Sequence, residues 1–272
     1  DESLNRAEEF ALLKTALAAG VTVPEPLWLC RDPSVLGKEF FVMRRVAGAA
    51  AGHRMVKDER LRDSGEALVE RLAEELARIH TITPPADGLG FLAMPEPSPA
   101  LHSVNRLRHH LDRLATPHPV LEWGLRWLER NAPTRDELVL RHGDFRTGNY
   151  MVDENRLTGI LDWEFAGWSD LHDDIGWFCA KCWRFGADDR EAGGIGVRET
   201  FYRAYERASE RSVDPGTVSY WEVMAHLRWA VIALQQAQRH VSGDEPALEM
   251  ALTGHVVPGL ELEILQLTGK GT

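Results

Sequence analysis

The chain has 272 residues, 44% of them hydrophobic and 27% charged, which suits a folded protein of one large domain or two modest lobes and excludes a disordered one. The net charge of -11 argues against a nucleic-acid partner, which needs a basic surface, and against an anionic membrane partner. Three cysteines are too few for a disulfide framework and fit a reducing, cytoplasmic compartment; the longest apolar run, Trp229 to Leu234, is far too short to span a bilayer.

Leu4 to Ala19 reads as a helix, because Phe10, Leu13 and Leu17 recur at helical spacing and Gly20 supplies a stop. Glu8 and Glu9 lie near its start, where the helix dipole favours negative charge. Val21 to Pro26 is extended, since proline biases its predecessor toward β or polyproline geometry. Leu27 to Leu29 and Phe40 to Val46 read as strands, with turns at Asp32-Pro33-Ser34 and Gly37-Lys38 between them. Ala49 to Val56 is a linker. Asp58 to Ile82 is a long helix with Leu61, Leu68, Leu72, Leu76 and Ile79 on one stripe. Val104, Leu107, Leu111 and Leu114 mark another helix, and Pro119 to Asn131 a third, with Leu121, Leu125 and Leu128 inward.

Leu138 to Glu164 carries the chemistry. Leu138 to Leu140 reads as a buried strand, Tyr150 to Val152 as a second and Leu157 to Leu161 as a third, with turn residues Asp153-Glu154-Asn155 between the last two. A hairpin brings its ends together, so Asp162 returns beside Asn149. That places two carboxylates, Asp144 and Asp162, and one amide in a small space. Clustered carboxylates repel unless a cation or proton compensates, and Mg²⁺ is held by one or two carboxylates plus substrate phosphates. Asn149 lies five residues after Asp144, and Asp162 thirteen after Asn149. Kinases use this order: a catalytic-loop Asp, an Asn to metal, then an Asp to metal.

Past Glu164, Asp170 caps a helix whose inward side chains are Ile175, Phe178, Cys182 and Trp183. Cys179 and Cys182 read as core, since a zinc site takes about four ligands and no second pair exists. Gly193-Gly194-Ile195-Gly196 reads as a connecting loop: no strand leads into it, and it lacks the Lys-Ser/Thr ending of a phosphate loop. Val197 to Arg211, Pro215 to His240 and Pro246 to Leu267 are helices, with Trp221, Leu227, Trp229 and Leu234 in the core.

The loop motif, His142-Gly143-Asp144 with Asn149 following, resembles the aminoglycoside phosphotransferase and choline kinase branch of the protein-kinase-like superfamily. The stretches DWEFAGWSDLHDDIGWFCAKCWRFG and YWEVMAHLRWAVIAL are similar to bacterial phosphotransferase-family proteins and to the kinase-like domains fused to certain acyl-CoA dehydrogenases. The resemblance implies an α+β, two-lobed kinase-like fold. Residues 1–48 would form a partial N-lobe of helix, hairpin and hinge, and residues 49–272 a mainly helical C-lobe with the catalytic loop and metal site. Asp144 would accept or orient the hydroxyl proton, with His142 and Arg146 shaping the loop. Asn149 and Asp162 would hold Mg²⁺, and Glu164 and Asp174 would support them; a first-turn Asp174 favoured by the dipole is the plainer alternative. Met43, Arg44, Arg45 and Val46 would be the hinge that holds the adenine of ATP. Glu9, or else Glu8, would pair with an ATP-orienting lysine. The glycine-rich loop and the lysine strand of that fold would precede the first helix, and no residue of this sequence takes either role. Upstream sequence supplies them, or ATP is not held in the usual way.

The implied function is an ATP- and Mg²⁺-dependent phosphotransferase for a hydroxyl of a small molecule, a 4-hydroxyacyl-CoA among the candidates. The alternatives are an aminoglycoside kinase, a non-catalytic kinase-like binding module, and a metal-dependent phosphoester hydrolase built on His142, Asp144 and Asp162.

Overall fold

The computed structural model describes residues 3–114, 116–134 and 137–269, and at residues 60–63 the backbone alone. Contacts gather the chain into two units, Asp1–Met94 with Glu137–Val213, and Pro95–Asp136 with Asp214–Thr272. The residues before 48 thus group with the stretch 138–164, and the chain after 49 is divided between the units.

In the first unit, Asn5 opens α1 (Arg6–Ala18) with a capping box: its side chain accepts from the Ala7 and Glu8 amides, and the Glu8 carboxylate takes the Asn5 N–H at 2.9 Å. β1 (Pro26–Cys30) pairs antiparallel with β2 (Phe40–Met43). The one-turn helix α2 (Pro33–Leu36) occupies what reads as turns, capped by Asp32 and closed by Gly37 at φ 78°. β2 stops at Met43, short of Val46, because the chain then crosses onto a later hairpin. There the Thr158 hydroxyl donates to the Ala47 carbonyl at 2.6 Å, and Ala49 and Val152 exchange N–H···O bonds of 3.0 Å. α3 (Gly52–Met55) leads to α4 (Glu59–Ile79), whose Leu68, Leu72, Leu76 and Ile79 are all buried. Leu61, the remaining member of that stripe, falls among the side chains outside the description. Each buried leucine contributes about 1.5–3 kcal/mol.

The second unit receives α5 (Pro99–Leu111) and α6 (Pro119–Arg130) before the chain returns. Back in the first unit come β3 (Val139–Arg141), β4 (Tyr150–Asp153), β5 (Arg156–Ile160), β6 (Gly167–Ser169), α7 (Leu171–Cys179) and α8 (Arg198–Ser209). β4 and β5 form the antiparallel hairpin, while β3 pairs with β6. The three-residue β6 is too short for an alternating pattern and does not show in the sequence. α8 packs on α4 through buried Phe201, Ala204 and Tyr205.

One buried carboxylate ties these parts together. Glu75 of α4 is fully buried and accepts from the Thr22 amide at 2.8 Å and the Thr22 hydroxyl at 2.7 Å, with Arg71 and Arg78 alongside. The Thr22 carbonyl in turn accepts from Ile160 of β5 at 2.8 Å. The α1–β1 linker, α4 and the hairpin are therefore pinned to one another.

In the second unit α5 ends at Leu111, so Leu114 lies beyond the helix. Leu121, Leu125 and Leu128 of α6 are fully buried, and Gly124 lets Leu227 approach so closely that a Cβ would meet it at 2.8 Å. α9 (Pro215–Ser242) buries Trp221 and Leu227 and leaves Trp229 and Leu234 half-buried. The last helical stretch is broken into α10 (Leu248–Thr253) and α11 (Val257–Gly269) by a tight turn over Gly254–Val256. Among the described residues no helix is long and apolar enough to cross a membrane.

Candidate active site

The loop between β3 and β4 is held at its entry by Asp174, fully buried in the first turn of α7. Its carboxylate accepts from the His142 amide at 2.7 Å and the Gly143 amide at 2.9 Å, and meets the His80 ring at 3.3 Å. Burial opposes its ionisation, but the His80 ring and the loop amides outweigh that, and its pKa lies below the usual carboxylate value. His80 is oriented by the Tyr205 hydroxyl at 2.7 Å. Gly143 sits at φ 81°, with the Phe165 carbonyl 2.2 Å from where a Cβ would be, so the turn accepts no larger residue.

His142 links loop and hairpin. Its Nε2 donates to the Leu161 carbonyl at 2.9 Å, and its Nδ1 accepts from the Asp144 amide at 3.2 Å. Complete burial lowers its pKa despite the surrounding carboxylates, which keeps the ring neutral and suits one donor and one acceptor. At the hairpin end, Leu161 N–H donates to the Asn149 carbonyl at 2.8 Å, which sets Asp162 one residue from Asn149's partner.

Asp144 is almost buried, and three side chains reach its carboxylate: Arg146 Nε at 3.0 Å and Trp177 Nε1 at 2.8 Å on Oδ1, and the Asn149 amide on Oδ2. The Arg146 guanidinium lies 4.4 Å over the Trp183 ring. Asp162 stands in the left-handed region at φ 66°, which Asp tolerates better than most residues. Its pKa is raised, first by burial and then by the charge of Asp144. Glu164 is raised too, by burial and then by Asp162, while Arg6 opposes the shift.

These residues fit a divalent cation. Among the described residues no hydrogen bond reaches the Asp162 carboxylate, and the Asn149 amide oxygen likewise accepts none. Two oxygens that accept no hydrogen bond, one of them on a carboxylate whose charge Arg146 and Arg6 offset only in part, are the donor set Mg²⁺ takes from a protein when phosphates complete its shell. Among the described residues no three His, Cys, Asp or Glu side chains gather as a metal cage, which is the ligand supply a metal-dependent hydrolase would need.

The remaining candidates fall around this centre. Glu8 is engaged in the helix cap, whereas Glu9 is buried and pairs with Arg6. Both Arg6 and Glu9 act electrostatically on Glu164, and Leu4 N–H donates to the Glu164 carbonyl at 2.9 Å. Met43, Arg44 and Arg45 are exposed, with Arg44 paired to Glu25 at 2.7 Å; Val46 packs toward Gly159 of the hairpin. The segment Gly193–Gly196 braces the loop between β3 and β4: the Thr147 hydroxyl donates to the Gly193 carbonyl at 2.7 Å.

The sequence pattern does not reveal Trp177, Trp183 or His80. Trp177 lies three residues after Asp174, hence on the same helix face, and that spacing was the available signal. One face of α7 thereby grips both the entry of the loop and its central carboxylate.

Residues 2–213 match the family model described as the phosphotransferase enzyme family, APH. Acyl-CoA dehydrogenase family member 11 of Gallus gallus is 35% identical over 167 residues, which cover 58% of this chain and 20% of that protein. The chain thus spans about a fifth of that relative's length. A crystal structure from Ralstonia eutropha, assigned as an aminoglycoside phosphotransferase, superposes with a TM-score of 0.79 at 21% identity, covering 97% of this chain and 83% of that one. Aminoglycoside phosphotransferase APH(4)-Ia, in a ternary complex with AMP-PNP and hygromycin B, superposes with a TM-score of 0.65 at 16% identity, over 100% of this chain and 86% of its own. An α+β, kinase-like fold and a family match over most of its length make this chain a member of the phosphotransferase enzyme family.

Proposed function

We propose that this chain is an ATP- and Mg²⁺-dependent O-phosphotransferase, a cytoplasmic small-molecule kinase whose acceptor is a hydroxyl of a 4-hydroxyacyl-CoA. The observation that carries the reading is the convergence of Asp144, Asn149 and Asp162 on one hairpin-closed loop, with the pKa of Asp162 raised by burial and by Asp144. In this reading Asp144 accepts the hydroxyl proton as the acceptor oxygen bonds to the γ-phosphorus and the bond to the ADP leaving group breaks. Trp177 and Arg146 hold the Asp144 carboxylate in place. Asn149 and Asp162 hold the magnesium. When bound there, the ion would supply positive charge that offsets that of the phosphates. The hinge backbone, Met43 to Val46, holds the adenine, and Glu9, which pairs with Arg6, steadies a cation that orients the phosphates.

The acyl-CoA acceptor draws support from the named relative, of which this chain matches one part. An aminoglycoside acceptor is the second reading, supported by the neighbour solved with hygromycin B. The deciding experiment measures ADP release by the full chain with Mg·ATP against a panel of 4-hydroxyacyl-CoAs and aminoglycosides, with Asp162→Asn alongside. Release with the acyl-CoAs that is lost in the variant supports the reading. Release only with aminoglycosides moves the acceptor. Nucleotide binding by calorimetry without any transfer makes the chain a binding module.

A further inference from the structure

Beside the catalytic loop lies a recess of about 450 Å³, lined by Val56, Lys57, Phe185, Gly186, Ala187, Asp189 and Arg190. Two segments form it, and both rest on the loop. A Cβ on Gly52 would come within 2.9 Å of the Thr147 carbonyl and 2.7 Å of the Phe185 ring, so that only glycine lets α3 close onto both. The segment that forms the other wall is flanked by residues tied to the loop: the Gly193 carbonyl accepts from Thr147, and Trp183, two residues before Phe185, lies against Arg146, which donates to the Asp144 carboxylate.

Its charge runs against that of the molecule. Arg190 donates through Nη2 to the Val56 carbonyl at 2.9 Å, which anchors the guanidinium at the wall. Its Nη1 is shielded from solvent and has no acceptor among the described residues. A buried donor left without an acceptor is costly. Neighbouring carboxylates do not supply one: Glu191 is taken by Arg184 and Arg198, and Asp188 by Lys181. Lys57 is exposed at the rim, with His53 and Arg54 exposed on α3 just before it. Among the described residues Asp189 is the one carboxylate on the lining, so Lys57 and Arg190 leave it a net charge of +1 in a chain of net charge -11.

We propose that this recess is an oxyanion subsite for the acceptor, in which Arg190 and Lys57 hold a phosphate or pyrophosphate group remote from the hydroxyl that meets Asp144. This rests on the phosphotransferase reading. It makes Lys57 and Arg190 specificity residues, which select anionic acceptors over polycations such as aminoglycosides.

The test titrates metal-free full-chain protein, saturated with ADP, with inorganic pyrophosphate by calorimetry. One site is expected, weakened by salt because its rim is exposed. Its Kd should rise about ten-fold in Lys57→Glu and in Arg190→Gln, the scale of one charge-assisted hydrogen bond. Asp144→Asn should bind pyrophosphate as the wild type does. Lys57→Glu, on an exposed side chain, keeps the test sound if Arg190→Gln fails to fold. Binding that ADP abolishes would place the phosphate in the donor's site and overturn the proposal; so would an unchanged Kd in Lys57→Glu, or no binding at all. Failure of the parent reading shows separately, as phosphoryl transfer that survives Asp144→Asn and Asp162→Asn.

Discussion

Asp174 and Asp162 flank the same loop, one at its entry and one past its exit, and the protein treats them in opposite ways. Asp174 is wholly buried, yet protein donors meet its carboxylate and its pKa is lowered. Asp162 is less buried, yet no donor among the described residues meets it and its pKa is raised. Burial alone would rank them the other way round. The difference is in what surrounds each group: protein donors complete Asp174, whereas Asp162 accepts no hydrogen bond among the described residues, and the proposed Mg²⁺ would complete it. A carboxylate whose pKa is raised beside another carboxylate is a candidate functional position.

The comparison breaks most visibly in turnover. Asp162→Asn should lower phosphoryl transfer by ~10³-fold or more, at least matching the loss of a general base, because positioning and charge dominate this chemistry; ADP release under saturating Mg·ATP measures it. Undiminished turnover would remove the metal role. Asp174→Ala should act on stability first. It strands two buried loop amides and the His80 ring, at a cost of about 3 kcal/mol or more in urea unfolding. A loss below 1 kcal/mol, as for an ordinary surface residue, would show that the loop holds its shape without Asp174.

Trp177→Phe separates positioning from packing. It keeps the ring and removes one donor to Asp144, so kcat should fall about ten-fold while KM for ATP stays put. An equal rise in KM would point to a general disturbance instead.

The smallest effect is in pH dependence, and its sign differs between the two residues. Asp174 has a depressed pKa, so its contribution to stability is present above the unfolded carboxylate value and is lost as pH falls through the folded one. Asp162 has a raised pKa, so its contribution is present at low pH and is lost as pH rises through the folded value. In metal-free protein, Asp162→Asn should therefore flatten the decline in Tm between the usual carboxylate pKa of ~4 and neutrality. Mg²⁺ with nucleotide should raise the Tm of the wild type and leave the variant where it was.

Local regularities were legible in the chain itself. The spacing of Leu68, Leu72, Leu76 and Ile79 gave away α4, and the turn at Asp153-Glu154-Asn155 gave away the hairpin. From that hairpin followed the approach of Asp162 to Asn149, because a tight antiparallel pair closes its own ends. Periodicity and turn chemistry depend on near neighbours, and those are written side by side.

Contacts between distant stretches were not legible. Whether Glu8 or Glu9 faced the site depended on Asn5 claiming Glu8 for the helix cap. The pairing of β3 with β6, the indole of Trp177 on Asp144, and the meeting of Lys57 with Arg190 in one recess all join segments far apart in the chain. Sequence spacing determined which oxygens return to one end of the hairpin; only packing in three dimensions decided which carboxylate protein donors would satisfy and which would accept no hydrogen bond, because those donors come from distant segments.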